Sequence, residues 1–342
     1  MSKPIQLSHT AIEKYNLCPR SYQIHYMENI KSTDIHSPLF FGKAIDEAIN
    51  YLLLGKKENL TEDEKKILNE SSTDDAFEKY MINYDLLGEV IDLRYYSQVR
   101  YNKSDIELDL IMTDHAIEDI CLYACSTKIE LNNRLQVNQF INECHDIRKA
   151  KQCMDKDTQK VYNFIAWKSL YFKGKWMIEA YKENILPRIK VVHSIQKKVE
   201  LPDEEGNMLI GYVDFEATFD DGIRYIIDNK TASKSYTEKN FDSNQLVIYS
   251  EYLDNLNVGY AVMLKEVYKK YPNFKTQLLF HKVDPEIKVA VFQNIEHTLQ
   301  DIKKSEFPEN RKNCFQYGKK CAYYEFCRSE GENMVGLKKV VK

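Results

Sequence analysis

Two aspartates and a lysine offer the plainest chemistry in this sequence. Asp228 and Lys230 close an apolar, β-branched run, Ile226-Ile227-Asp228-Asn229-Lys230-Thr231. Residues i and i+2 on a strand share a face, so Asp228 and Lys230 point the same way and Asn229 points away. Upstream, Asp214 sits in Gly211-Tyr212-Val213-Asp214-Phe215, and Asp220-Asp221-Gly222 between the two acids is a hairpin signal. Antiparallel strands joined there bring Asp214 near Asp228 and Lys230. Two carboxylates and an ammonium on one face suit a hard divalent cation and an anionic substrate. A solvated strand edge with one salt bridge fits the same residues.

A second set is built of thiols. Cys314, Cys321 and Cys327 follow one another with gaps of six and five residues. The chain has eight cysteines and opens Met1-Ser2-Lys3-Pro4-Ile5-Gln6, without the apolar core of a signal peptide. A cytosolic location is expected, and there clustered thiols read as metal ligands rather than disulfides. Tetrahedral zinc or an iron–sulfur cluster takes four ligands. No histidine lies near the triplet, so the fourth must come from far away in sequence. Cys18, just before the corner at Pro19, is the best placed, although a cysteine on an apolar helix face is otherwise core. Cys121 and Cys125 lie four apart on an expected helix with no completing ligand. They read as core, as do Cys144 and Cys153.

These residues need elements to hold them. Ser8 or Thr10 is a candidate N-cap for a helix opening at Leu7-Ser8-His9, and Pro19 stops it and starts the next. A helix beginning at Phe40 carries Ala44, Ile45, Ala48, Ile49 and Leu52 as its apolar stripe. Asp46 and Glu47 then fall in its first turns, where the helix dipole favours acids. Residues 55–75 are polar and charged, a surface connection with a short helix, and residues 76–186 follow the helical period. From Lys190 the period becomes two. Strands are expected over 190–201, 209–219, 223–231, 258–264 and 276–283, with a helix over 241–256 and another from Pro285 to about Lys304. Helices, three strands, a helix, more strands and a helix make an α/β or mixed sheet, with the acids on its central hairpin.

Composition sets limits. The 342 residues are 43% hydrophobic and 29% charged, which reads as globular, and no run of 18 apolar residues offers a membrane span. The net charge of −4 gives no overall nucleic-acid signal. Residues 310–342 are basic, with eight Lys or Arg against three Glu. No P-loop motif is present, which excludes ATP hydrolysis by that route.

Taken together, the blocks resemble the RecB-type nucleases of the PD-(D/E)xK superfamily, in the branch with an iron–sulfur cluster that includes AddB-like, CRISPR-adaptation and phage exonucleases. Ser8 through Tyr15, Cys18, Pro19, Arg20 and Tyr22 is similar to the family's opening block. Gly42-Lys43-Ala44-Ile45-Asp46 resembles its Gly-x-x-x-His block, with Asp46 in place of the histidine. Gly211 to Asp214 and Ile227 to Thr231 resemble the two catalytic blocks. Gln245 and Tyr249 match its Gln-x-x-x-Tyr helix, and the cysteine triplet its cluster ligands, more widely spaced than usual.

The resemblance implies a restriction-endonuclease-like mixed sheet core with flanking helices and a helical insertion. It divides the chain into N-terminal helices (1–55), an insertion (56–186), a nuclease core (187–305) and a cysteine segment (306–342). It implies Mg2+ or Mn2+ held by Asp46, Asp214, Asp228 and the Asn229 carbonyl, with Lys230 orienting water or stabilising charge. Gln245 and Tyr249, on one helix face, would contact DNA or order the site. Cys18, Cys314, Cys321 and Cys327 would hold a 4Fe–4S cluster, or zinc. The expected activity is exonucleolytic hydrolysis of single-stranded or end-exposed DNA in recombination, repair or phage DNA processing. The alternatives are a structure-specific or nicking endonuclease and a DNA-binding scaffold with a decayed site. DNA is the expected partner, with a recombination or replication protein beside it, no membrane, and the cytoplasm (the host's, for a phage chain) as location.

Overall fold

The hairpin expected around Asp220-Asp221-Gly222 forms, and a six-stranded mixed sheet is built on it. The computed structural model describes residues 4–32, 37–83, 99–101, 106–108, 174–242, 244–264, 275–316 and 319–340. Among these, the strands are β1 (Gln6–Ser8), β2 (Ile30–Ser32), β3 (Val99–Tyr101), β4 (Ile106–Leu108), β5 (Ile189–Pro202) and β6 (Met208–Phe219). They continue with β7 (Arg224–Ala232), β8 (Asn257–Leu264), β9 (Thr276–Lys282), β10 (Phe315–Gln316), β11 (Lys319–Lys320) and β12 (Leu337–Lys339). The helices are α1 (His9–Leu17), α2 (Pro19–Tyr22), α3 (Ser37–Leu54), α4 (Glu62–Glu70), α5 (Thr73–Asn83), α6 (174–184), α7 (Asn244–Tyr252), α8 (Pro285–Lys303) and α9 (Tyr324–Arg328).

The turn chemistry is local. Gly222 takes a φ of 80°, the Phe219 carbonyl accepts from the Gly222 N–H, and Asp221 Oδ1 accepts from the Ile223 N–H. This is a three-residue hairpin loop with glycine at the left-handed position. Beyond it, Ile226 and Ile227 are fully buried, and β8 is buried along almost its whole length. A continuous apolar run such as Val258–Leu264 is what a strand covered on both faces requires. Strand β8 runs parallel to β7 and antiparallel to β9.

Strand β6 is shared in a way the sequence did not announce. One edge pairs with β5 from Met208 to Phe219. The other edge is divided: Met208–Ile210 pair in parallel with β1, and Phe215–Thr218 pair antiparallel with β7. Residues 211–214 lie between the two partners, in a notch of the sheet.

The helix starts follow the rules that predict them. Ser8 caps α1 by accepting from the Ala11 N–H at 3.2 Å, an interaction of about 1 kcal/mol. Leu7-Ser8, expected to open the helix, is instead the end of β1. Pro19 begins α2, and Pro285 begins α8 behind an Asp284 cap. Helix α3 starts at Ser37, not Phe40, so its first turn holds no acid and Asp46 sits well inside it. The dipole reason for Asp46 and Glu47 therefore falls away. The helix expected over 241–256 is shorter, a 3-10 turn at Glu238–Asp242 followed by α7.

The expected helical insertion is seen only at its flanks. There α4, α5 and α6 are helical, and β3 and β4 form an antiparallel pair in place of helix. Cys121, Cys125, Cys144 and Cys153 lie outside the described residues.

The two ends of the chain pack on each other. Strand β12 pairs antiparallel with β2, and Ile24, Ile30, Tyr323, Phe326 and Leu337 form a small core there. The Tyr15 hydroxyl donates to the Glu306 carbonyl at 2.8 Å, and the Asn313 amide donates to the Leu17 carbonyl at 2.6 Å.

Candidate active site

The notch gathers the acids. Asp228 is 1% exposed, and its Oδ2 lies 2.5 Å from Lys230 Nζ. The Lys230 side chain is a third exposed, so the pair opens to solvent on that side. Pairing of β6 with β7 stops at Phe215 and Ile227. One residue further, Asp214 replaces the ladder: its Oδ2 accepts the Asn229 N–H at 2.8 Å. Asp214 thus bridges the strands where their backbones part. Helix α3 reaches the same place, with Gly42 close to Thr231 at the end of β7. Asp46, one turn beyond Gly42, feels Asp228 and Lys230 as its strongest charged neighbours.

The charges do not balance. Three carboxylates, one buried and two half-buried, share one ammonium. Burial, then the Asp228 charge, push the Asp46 carboxyl up to about 7. Burial and the charges of Asp228 and Asp46 raise Asp214 well above the carboxylate range, against the Asn229 N–H and Lys230. Burial raises Asp228 as well, against the pull of Lys230. Burial works against the Lys230 ammonium, but the charge and contact of Asp228 outweigh it and keep Lys230 protonated. Such a site lacks positive charge, which a hard cation with oxygen ligands would supply.

Helix α7 covers the notch. Lys230 Nζ donates to Gln245 Oε1 at 3.4 Å, and Gln245 Nε2 donates to the Tyr249 hydroxyl at 3.0 Å. A Cβ on Gly211 would stand 2.9 Å from the Tyr249 ring, so glycine is what lets α7 approach β6. Gln245 and Tyr249 therefore lie beside Lys230.

Three residues that carry no sequence-level signal also border the site. His9 opens α1 directly after β1; burial lowers the pKa of its ring, which also feels Glu13, Lys230 and Asp228. Tyr181 on α6 is fully buried, its hydroxyl has no hydrogen-bond partner among the described residues, and it feels the charges of Asp214 and Asp46. Gln196 on β5 reaches Asp214 Oδ1 with its amide at 3.4 Å. Nothing local in the sequence marks them, because each arrives from a distant segment.

Asn229 points away from Asp228, as strand alternation requires. Its side chain is 6% exposed, and both amide atoms lack a partner among the described residues.

The sequence profile of the PD-(D/E)XK nuclease superfamily matches residues 135–328, more than half of the chain. The chain belongs to this superfamily. No curated protein matches it. A solved structure described as "Crystal structure of SSO0001" aligns at 12% identity over 48% of this chain and 73% of its own, with a TM-score of 0.25. That similarity is too low to carry any argument about the site.

The mixed α/β sheet with flanking helices is the architecture expected of a PD-(D/E)XK protein. Whether its acids suit a cation rests on their chemistry. The three carboxylates are hard oxygen donors with negative charge in excess, and so they fit Mg2+ or Mn2+. Among the described residues, however, no group of three or more His, Cys, Asp or Glu side chains stands ready-made to hold a metal ion. At the notch the carboxylate oxygens are otherwise engaged, Asp228 with the Lys230 ammonium and Asp214 with the Asn229 N–H.

The same holds for the cysteines. Cys18, Cys314, Cys321 and Cys327 are free, partly buried thiols. The Cys321 N–H donates to the Cys314 carbonyl at 2.8 Å, and Cys18 Sγ accepts from the Asn310 N–H at 3.4 Å. Burial is the first cause that raises Cys314 and carries Cys327 to about 11, and both feel Cys18 and Cys321. Four thiols in one neighbourhood fit a thiophilic metal or cluster in kind, without forming a finished coordination shell. Among the described residues no helix is long and apolar enough to cross a membrane.

Proposed function

We propose that this PD-(D/E)XK protein is a divalent-metal-dependent deoxyribonuclease of the RecB-type branch, acting as an exonuclease on single-stranded or end-exposed DNA. The observation that carries the reading is the notch: three acids on three elements, the buried Asp228 and the half-buried Asp46 and Asp214, beside one solvent-facing lysine. Asp46, Asp214, Asp228 and the Asn229 carbonyl would hold Mg2+ or Mn2+, which when bound supplies an activated water and charge neutralisation at the phosphate. Lys230 faces the open side, where its ammonium meets the phosphodiester anion. Gln245 holds Lys230 in place from α7, and Tyr249 holds Gln245. Cys18, Cys314, Cys321 and Cys327 would bind a 4Fe–4S cluster, with zinc as the other occupant, as a staple between the chain's ends.

End-labelled and circular single-stranded DNA, each with Mg2+ or Mn2+, test this reading. Wild type should degrade the linear substrate and leave the circle intact, and Asp228→Ala or Lys230→Ala should lower the rate at least about 100-fold. Cutting of the circle would make it an endonuclease. Cleavage undiminished in both variants, or no cleavage at all, would reject the assignment, the latter leaving a DNA-binding scaffold.

A further inference from the structure

Gln196 has an unusual backbone for its place. Its φ is +48°, in the left-handed region that glycine and asparagine enter most easily. The other non-glycine residues with positive φ among the described residues, Asn29, Asn59, Asp254, Ser305 and Glu330, lie in turns and loops. Gln196 alone of them lies within a strand. It falls between the pairs Ile195–Phe215 and Lys197–Val213, directly opposite Asp214. A strained residue held inside regular structure persists because its surroundings over-determine it, and such residues concentrate at functional sites.

The strain coincides with a change in β6. Val213 packs in the same core cluster as Ile226, whereas Phe215 pairs with Ile227, the neighbour on the opposite face. The usual alternation is thus broken at Asp214, across from Gln196. The break turns Asp214 toward β7, where Oδ2 accepts the Asn229 N–H. The Gln196 side chain supplies the other restraint, its amide donating to Asp214 Oδ1 at 3.4 Å. One donor on each oxygen, the Asn229 N–H short and the exposed Gln196 amide longer, restrains the rotation of the carboxylate.

We propose that Gln196 is a positioning residue: its left-handed backbone and its carboxamide together set Asp214 in the orientation in which it receives the cation. This rests on the nuclease reading above. Groups that orient a metal ligand from behind typically contribute 10- to 100-fold in metal affinity or activity.

Gln196→Gly separates this from a structural role, because glycine keeps the backbone without strain and removes only the amide. Gln196→Asn also tolerates the backbone and carries an amide one methylene too short. Mn2+ binding to the full chain by calorimetry and melting in EDTA are the two readouts. Both variants should melt within about 4 °C of wild type and bind Mn2+ about tenfold more weakly. Unchanged Mn2+ affinity in the glycine variant, beside a wild type that binds Mn2+ and cleaves DNA, overturns the role of Gln196 alone. A glycine variant that melts much lower overturns it too, since the side chain would then be structural. A wild type that neither binds Mn2+ nor cleaves overturns the nuclease reading, and this inference with it.

Discussion

At the scale of single residues, Asp46 records the charge imbalance of the notch. Its ordinary value is 3.8, and in the folded chain it stands near 7. Below pH 4 both folded and unfolded chains hold the proton. Between about 4 and 7 the unfolded chain releases it and the folded chain keeps it, so stability falls as pH rises through that window and levels off above it. In EDTA, Asp46→Asn should therefore melt like wild type near pH 4 and higher than wild type at pH 8. The gain at pH 8 should be at most about 4 kcal/mol, at about 1.4 kcal/mol for each unit between 3.8 and about 7. With Mn2+ present the order should reverse, because the variant lacks a carboxylate that, on the proposed reading, would hold the cation. Equal pH dependence for the two proteins in EDTA would show that Asp46 is not held against its charge.

At the scale of elements, the fit of α7 over β6 is set by one missing methyl group. Gly211→Ala places a Cβ against the Tyr249 ring, and either the ring or the helix must shift. The expected cost is about 1–3 kcal/mol in urea denaturation. DNA cleavage should drop as well, because Tyr249 holds Gln245 and Gln245 holds Lys230. Adding Tyr249→Leu should recover most of the stability and none of the activity. Full additivity in that double mutant would show that the ring is not what the methyl group meets.

The hairpin of β6 and β7 was legible in the sequence because its information is local: period-two apolar residues, Asp-Asp-Gly, and acids at i and i+2. Strand β8 was legible as one apolar run. The notch was not. It exists because β1, three residues long, pairs with Met208–Ile210 from the far end of the chain, and no local pattern marks so short a strand. The start of α3 departs from the expected Phe40 for a nearer reason. Ser37-Pro38 is a helix-start signal, and a start at Phe40 would give Asp46 a dipole role that its place in the helix does not allow. Only the family resemblance singles out Asp46, Gln245 and Tyr249; their own spacing says no more than that they belong to helices.

At the scale of the molecule, the cysteine neighbourhood joins the first and last segments. If the four thiols hold a 4Fe–4S cluster, protein purified without oxygen should be brown, with a broad absorbance near about 400 nm. Cys18→Ser should bleach it and lower the melting temperature by several degrees, as loss of a structural metal site does. A colourless wild type containing zinc would assign the other occupant. A wild type with neither, melting like Cys18→Ser, would leave the thiols as ordinary core.

The pairing of β2 with β12 has a consequence for synthesis. Residues 30–32 leave the ribosome about 300 residues before their partners, residues 337–339. Until then Ile30 has no strand beside it and the small core around Tyr323 and Phe326 does not exist. Contacts so distant along the chain make for slow folding. A nascent chain must therefore keep that apolar edge from straying while the residues between the two strands are made, and products that stop short of β12 should be the ones that chaperones and proteases meet.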